Sequence, residues 1–227
     1  MNRRFDVVTF DCYGTLVDWE DGIAEAFLRQ AELDWFPIER ELLLAAYHAV
    51  ERVVERPPYK SYREILAQTA VRVAGRFGWK LPPERAHFLA ASLPFWRPFP
   101  DTNPALTELV TEGYTLGILS NVDDDLLAET RGNLSAFFEF VVTAQQVRAY
   151  KPGTAHFREA RNRIGDVPWL HAAQSWFHDV VPASALGIPV AWINRKGEPR
   201  PKGPTPEVEV PDVAGLAAWL RTLAGAT

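Results

Sequence analysis

Cysteine is nearly missing from this chain of 227 residues: Cys12 is the only one. An intramolecular disulfide is therefore excluded, a Cys-rich metal site cannot be assembled, and a reducing cytoplasm is the expected compartment. Nowhere do about 18 apolar residues run together, so no membrane span is expected. The opening MNRRFDVVTFD lacks a long apolar stretch ending at small residues, so no secretory leader is expected either. Positive charge is also in short supply, with 24 Lys and Arg against 29 Asp and Glu, a net charge of −5. A dedicated nucleic-acid binder usually carries the opposite bias, so nucleic acid is not an expected partner. What is present, 47% hydrophobic and 23% charged residues, suffices for one sizeable core.

Residues 6–10 are apolar, β-branched and unbroken by Gly or Pro, which predicts a short buried strand. A turn follows at Asp11-Cys12-Tyr13-Gly14-Thr15. From about Asp18 to Leu93 apolar residues recur at helical spacing instead. They are Ile23, Ala26 and Phe27; Leu42, Leu43, Ala46, Ala49, Val50 and Val53; then Ile65, Ala67, Thr69, Val71 and Val73. A fourth helix is predicted after Pro82-Pro83, up to Leu93. Pro94, Pro98 and Pro100 fit a stiff hinge, after which strands and helices alternate. Predicted strands cover 114–119, 138–143, 169–173, 189–193 and 208–210. Predicted helices carry Leu106 and Leu109, start near Asp123, or cover 154–164, 180–186 and the stretch from Asp212. Residues 197–206 form a predicted surface loop. The alternation implies an α/β fold, a parallel sheet with helices on both faces. The core domain is expected over residues 1–17 and 97–227, with a helical cap domain over 18–96. A helical insert after the first strand would sit over the carboxyl edge of the sheet, where open α/β sheets bind ligands.

That edge gathers the residues able to carry chemistry. Asp11, at the end of an apolar strand, can receive N–H bonds from its turn and stay ionised as a nucleophile. Equally it can be a simple turn or capping aspartate. Ser120 and Asn121 follow a strand and offer a hydroxyl and an amide to an anion, or else cap the next helix. Lys151 precedes a proline and a helix; most lysines are solvated surface charges. Taken singly, each signal is weak.

Their order is not. The segments FDCYGTL, LSN, YKPGT and AQSWFHDVVPASALGI resemble the four motifs of the haloacid dehalogenase superfamily, across essentially the whole chain. The resemblance implies a Rossmann-like core with a helical cap, and an aspartate nucleophile at Asp11. Most relatives of that fold are Mg²⁺-dependent phosphatases, whose first motif is Asp-x-Asp-Gly-Thr and whose fourth resembles Gly-Asp-Ser-x-x-x-Asp. Here the second Asp is Tyr13, and the metal-binding acid of the fourth motif is Gln174. Both departures have one chemical reading. A phosphate dianion repels a carboxylate nucleophile and needs a cation, and an alkoxide leaving group needs a proton. Halide leaves unprotonated, and a 2-haloacid is a monoanion. FDCYGTL, like the trailing VAWINRKG, is similar to the L-2-haloacid dehalogenase branch.

The resemblance then implies hydrolytic dehalogenation of short 2-haloalkanoic acids through an aspartyl ester, with no metal and no other cofactor. Asp11 attacks C2 and expels halide; water hydrolyses the ester. Thr15, Lys151 and Ser175 position the Asp11 carboxylate, and Asp179 orients the water. The substrate carboxylate docks on Ser120 and the backbone N–H groups of Cys12 and Tyr13, and Asn121 meets the halide. The implied partners are a small halogenated acid and a second copy of the chain, a homodimer.

His178 is a second candidate base, or a second-shell or helix-face residue. In the cap the resemblance is weaker. The halide-binding Arg of the dehalogenase branch falls near Tyr47 or His48, while Arg52 and Arg56 read as solvated charges. A family Tyr six residues after the lysine appears as Phe157. Trp19, Phe95, Trp96 and Trp176 either line a dry pocket or pack a core. A phosphatase on a small phosphate ester, or a related protein without dehalogenase activity, stays open as the alternative.

Overall fold

The computed structural model describes residues 3–56 and 58–224. Among them the chain divides into two compact units. One takes the residues up to Val17, Pro98–Asn121 and those from Leu134 onward; the other takes Asp18–Arg97 and Val122–Asn133.

The first unit is a six-stranded sheet in the order β3-β2-β1-β4-β5-β6, with every neighbouring pair parallel. Its strands are β1 (Val7–Phe10), β2 (Thr115–Ser120), β3 (Phe140–Thr143), β4 (Trp169–Ala173), β5 (Val190–Ile193) and β6 (Val208–Val210). β1 and β4 are buried along their whole length, as strands covered on both faces must be. Around the sheet run α5 (Thr102–Thr111), α7 (Ala144–Val147), α8 (Ala155–Ile164), α9 (Val181–Ala185) and α10 (Val213–Ala224). A cluster of Val7, Leu119, Val142, Phe157, Ile164, Val180 and Trp192 forms part of the core. Chain order reverses between β1 and β4, so the carboxyl ends of these two neighbours flank the switch point where such sheets bind ligands. The α/β reading from the sequence is borne out.

The second unit is helical: α1 (Trp19–Leu33), α2 (Arg40–Val54), α3 (Tyr62–Arg76), α4 (Phe88–Ser92) and α6 (Asp124–Arg131). α3 starts on a capping box, in which Ser61 accepts from the Glu64 N–H and the Glu64 carboxylate accepts from the Ser61 N–H. Asp123 joins α6 to this unit, because its carboxylate receives the N–H groups of Tyr62 and Arg63, each at 2.9 Å. Gly22 lies against the Trp96 indole so closely that an added Cβ would collide with the ring.

Three local expectations differ from what is observed. The helix expected up to Leu93 is broken into a 3₁₀ turn at Pro83–Arg85, α4, and a second 3₁₀ turn at Leu93–Phe95, since Pro83 and Pro94 cannot donate to a preceding carbonyl. On α2 the buried stripe is Leu43, Tyr47, Val50 and Val54, leaving Leu42 and Val53 exposed. The helix expected at 180–186 begins earlier, with a π turn at Trp176–Val180.

Candidate active site

The loop after β1 turns back on itself at once. The Cys12 carbonyl accepts from the N–H groups of Thr15, Leu16 and Val17, and Gly14, at φ +92°, supplies the left-handed step that this reversal needs. Thr15 is thereby brought back over Asp11, and its hydroxyl donates to Asp11 Oδ2 at 2.9 Å. The same oxygen of Thr15 accepts from the Gln174 N–H at 2.9 Å, tying the β1 and β4 ends together.

Lys151 completes the arrangement. Its Nζ donates to Asp11 Oδ1 at 2.8 Å, to Asp179 Oδ1 at 2.7 Å and to the Leu119 carbonyl at 2.9 Å. An ammonium has three protons, and all three are committed. Lys151 therefore binds carboxylates of this chain rather than a ligand. Two carboxylates against one ammonium leave the trio with one net negative charge. Exposure separates the two acids: the Asp11 side chain keeps 11%, the Asp179 side chain 1%. Asp11 is the more exposed of the two.

Burial shapes the ionisation of all three. It pushes the Asp11 carboxyl above the ordinary carboxylate range, against the pull of Lys151. It opposes the charge on Lys151, but Asp11 and Asp179 outweigh it and raise the lysine. It opposes the charge on Asp179 as well, yet Lys151 and His171 prevail and hold that carboxyl well below its usual value. Asp179 stays a carboxylate, and the more basic Asp11 is the better nucleophile.

The sequence-derived residues divide accordingly. Asp11, Thr15, Lys151 and Asp179 meet in one hydrogen-bonded group. Ser120 ends β2 fully buried, its Oγ without a hydrogen-bond partner among the described residues. Ser175 directs its Oγ to the turn that follows, where it accepts from the His178 N–H and lies 3.1 Å from His178 Nδ1, so it caps the π turn. Asn121 uses its amide on the Lys151 backbone, accepting from the Lys151 N–H at 2.7 Å and donating to the Lys151 carbonyl at 3.0 Å. It fixes the lysine loop with its carbonyl oxygen and one of its two amide protons. Cys12 is buried; desolvation and then the Asp11 charge push its thiol far up, which keeps it inert. Tyr13 is partly buried in the same turn. In the helical unit Trp96 is core and Phe95 is exposed, while Trp19 packs on Tyr47 and His48. Arg52 and Arg56 are exposed.

Several residues outside the four motifs bond to this group or its backbone, and of these Arg195 lies in the VAWINRKG segment. His171 Nε2 lies 3.0 Å from Asp179 Oδ1, and His171 Nδ1 lies 2.9 Å from Thr9 Oγ1. Arg195 donates twice to the Thr15 carbonyl, at 3.0 and 2.7 Å, and grips Asp101 with both of its terminal nitrogens. His156 faces the Ser120 carbonyl through Nε2, and burial, followed by Lys151, pulls its pKa down to about 3. The available signal was that Thr9 and His171 interrupt otherwise apolar strands, where buried polar groups require partners.

The chain that builds this arrangement has known relatives. The family model of haloacid dehalogenase-like hydrolases matches residues 5–173. The chain belongs to that family. Over 96% of its length and 97% of the other's, this hydrolase is 25% identical to an (S)-2-haloacid dehalogenase of Pseudomonas putida. It is also 26% identical to a phosphoglycolate phosphatase of Yersinia pestis, over 80% of this chain and 78% of that one. The solved L-2-haloacid dehalogenase of Xanthobacter autotrophicus, with chloropropionic acid covalently bound, matches 96% of this chain and 98% of its own with a TM-score of 0.82 and 20% identity. At that identity the likeness is one of fold.

Whether the residues present suit a divalent ion can be judged from the donor set. No three His, Cys, Asp or Glu side chains among the described residues are grouped to hold one. The position matching the phosphatase metal-binding acid is Gln174, an uncharged side chain whose backbone is tied to Thr15. The set does not fit a bound cation. Nor is any helix among the described residues long and apolar enough to cross a membrane.

Proposed function

We propose that this hydrolase removes halide from short-chain 2-haloalkanoic acids through an Asp11 ester, without a metal. The observation that carries this reading is Gln174 beside the Asp11–Thr15 pair. A trio that already bears one net negative charge, its ammonium fully committed, repels a phosphate dianion more strongly than a monoanion. Tyr13, where a phosphatase carries its proton donor, suits a leaving group that needs no proton. The full-length match to the Pseudomonas enzyme supports the same chemistry.

In this mechanism an Asp11 carboxylate oxygen attacks C2 from the side opposite the halogen; the C–O bond forms as the carbon–halogen bond breaks, and halide departs with the bonding electrons. Thr15 and Lys151 hold the carboxylate in line. Ser120, its hydroxyl unpartnered, receives the substrate carboxylate together with the backbone N–H groups of Cys12 and Tyr13. Water, its proton taken by Asp179, then attacks the Asp11 Cγ. The bond from Cγ to the alkyl oxygen breaks, the proton on Asp179 passes to the departing alkoxide, the second water proton is released to solvent, and the 2-hydroxy acid leaves with the Asp11 carboxylate restored.

The test is halide release from chloro-, bromo- and fluoroacetate and from both enantiomers of 2-chloropropionate, with EDTA present. Turnover of the L enantiomer, insensitive to EDTA, is the expected result. Mg²⁺-dependent cleavage of p-nitrophenyl phosphate with no halide release from any acid would replace the dehalogenase reading with the phosphatase one.

A further inference from the structure

Asp179 has an asymmetry that the ion trio alone does not explain. Its Oδ1 accepts from two donors, Lys151 Nζ at 2.7 Å and His171 at 3.0 Å, while its Oδ2 is buried with no partner among the described residues. His171 lies in β4 beside Thr9 of β1, with which it is in register. One assignment of the protons along this row pairs each donor with an acceptor. The Trp169 indole N–H can only donate, and it points at Thr9 Oγ1 from 2.6 Å. Thr9 accepts there and has one hydroxyl proton to give, and His171 Nδ1 stands 2.9 Å away to take it. With Nδ1 accepting, the imidazole proton sits on Nε2 and is donated to Asp179. The Phe157 ring meets the imidazole edge to face, centroids 5.2 Å apart, and restrains its tilt.

We infer that His171, set by Thr9 and Trp169, is a positioning residue for Asp179: it pins Oδ1 so that Oδ2 alone is left to take the proton of the hydrolytic water. The inference rests on the Asp11-ester reading and adds to it a residue outside the four motifs. Fixing Oδ1 matters only in the second half of the reaction, when water attacks the ester; the first displacement is made by Asp11, which His171 does not touch. Loss of His171 should therefore slow ester hydrolysis and spare ester formation. Once hydrolysis limits turnover, kcat and KM fall together and kcat/KM, which reports the first irreversible step, stays put.

The experiment compares His171→Phe and Thr9→Val with the wild type. Expected for His171→Phe is a drop of roughly 10–100-fold in kcat, the range for a lost hydrogen bond to a charged group, with kcat/KM within about threefold. The intact-mass spectrum should show an accumulated covalent adduct at steady state. Thr9→Val, a change of similar volume, should move the same way to a smaller degree. A fall in kcat/KM equal to that in kcat, with no adduct, would overturn the inference, because a merely loosened site slows both steps. Nitrogen NMR of the free wild-type protein supplies a second reading: Nε2 protonated and Nδ1 bare is expected, and an Nδ1-protonated ring overturns the assignment. That signal needs no substrate. A wild type that releases no halide would sink the dehalogenase reading, while the His171 assignment would still be decided by its ring.

Discussion

Two carboxylate sites, one in each unit, meet desolvation in opposite ways. At the strand ends Asp179 and Asp11 share an ammonium, and Asp179 is held in its charged form. In the helical unit Glu51 on α2 accepts from two neutral phenols, Tyr47 at 2.9 Å and Tyr62 at 3.2 Å, and burial pushes its carboxyl up. The two phenols do not offset desolvation at Glu51; Lys151 and His171 together overcome it at Asp179, whereas at Asp11 desolvation outweighs Lys151. The first arrangement keeps a carboxylate reactive at neutral pH, and the second serves packing. The reactive site is built from charge, the helical one from contact.

The comparison breaks hardest at Lys151. Lys151→Met leaves two carboxylates facing each other without a cation, so activity should vanish and unfolding free energy should fall by about 3–5 kcal/mol, measured by urea melts beside the halide assay. A variant of near wild-type stability would show that the trio is not what compensates these charges. Next is Thr15→Val, which removes the donor to Asp11 Oδ2 and the acceptor for the Gln174 N–H. Halide release should slow by roughly 10–100-fold with the fold retained. In the helical unit the sensitive point is contact: Gly22→Ala drives a methyl into Trp96 and should cost about 1–3 kcal/mol in the same melts. No change there would mean that the packing is looser than it looks.

The smallest effect carries opposite signs in the two sites. Asp179 has a lowered pKa in the folded chain, so its stabilisation is present above the ordinary aspartate value of about 3.9 and is lost as pH falls through its folded value. Glu51 has a raised one, so its contribution is complete below about 4.3 and is lost as pH rises through its folded value. Urea midpoints at several pH values should show Asp179→Asn growing more costly towards neutrality and Glu51→Gln less so. Parallel trends would dissolve the contrast.

What the sequence made legible follows the same division. Asp11, Thr15, Lys151 and Asp179 could be read because each sits in a short motif at a fixed place after a strand, and strand ends converge on one edge. Ser175 lies in such a motif too, but the π turn that follows recruits its hydroxyl for His178, a local choice that spacing does not disclose. Thr9, Trp169 and His171 were illegible as a site because they look like strand interior; their link exists only once β1 and β4 pair in register. Arg195 lies in the VAWINRKG segment, but its bond to Thr15 was illegible because that partner is 180 residues away along the chain. The helices of the second unit were legible by period, whereas the break at Pro94 and the exposed Leu42 and Val53 depend on which neighbours each face meets.

The central claim, that Asp11 becomes esterified, is tested most directly by a single turnover of L-2-chloropropionate in heavy-oxygen water with enzyme in excess. Hydrolysis at the Asp11 carbonyl places the heavy oxygen in the Asp11 carboxylate, recovered in the peptide spanning β1, and leaves the first lactate unlabelled. Heavy oxygen in that first lactate, with an unlabelled Asp11 peptide, would mean that water displaces the halide directly and would contradict the account.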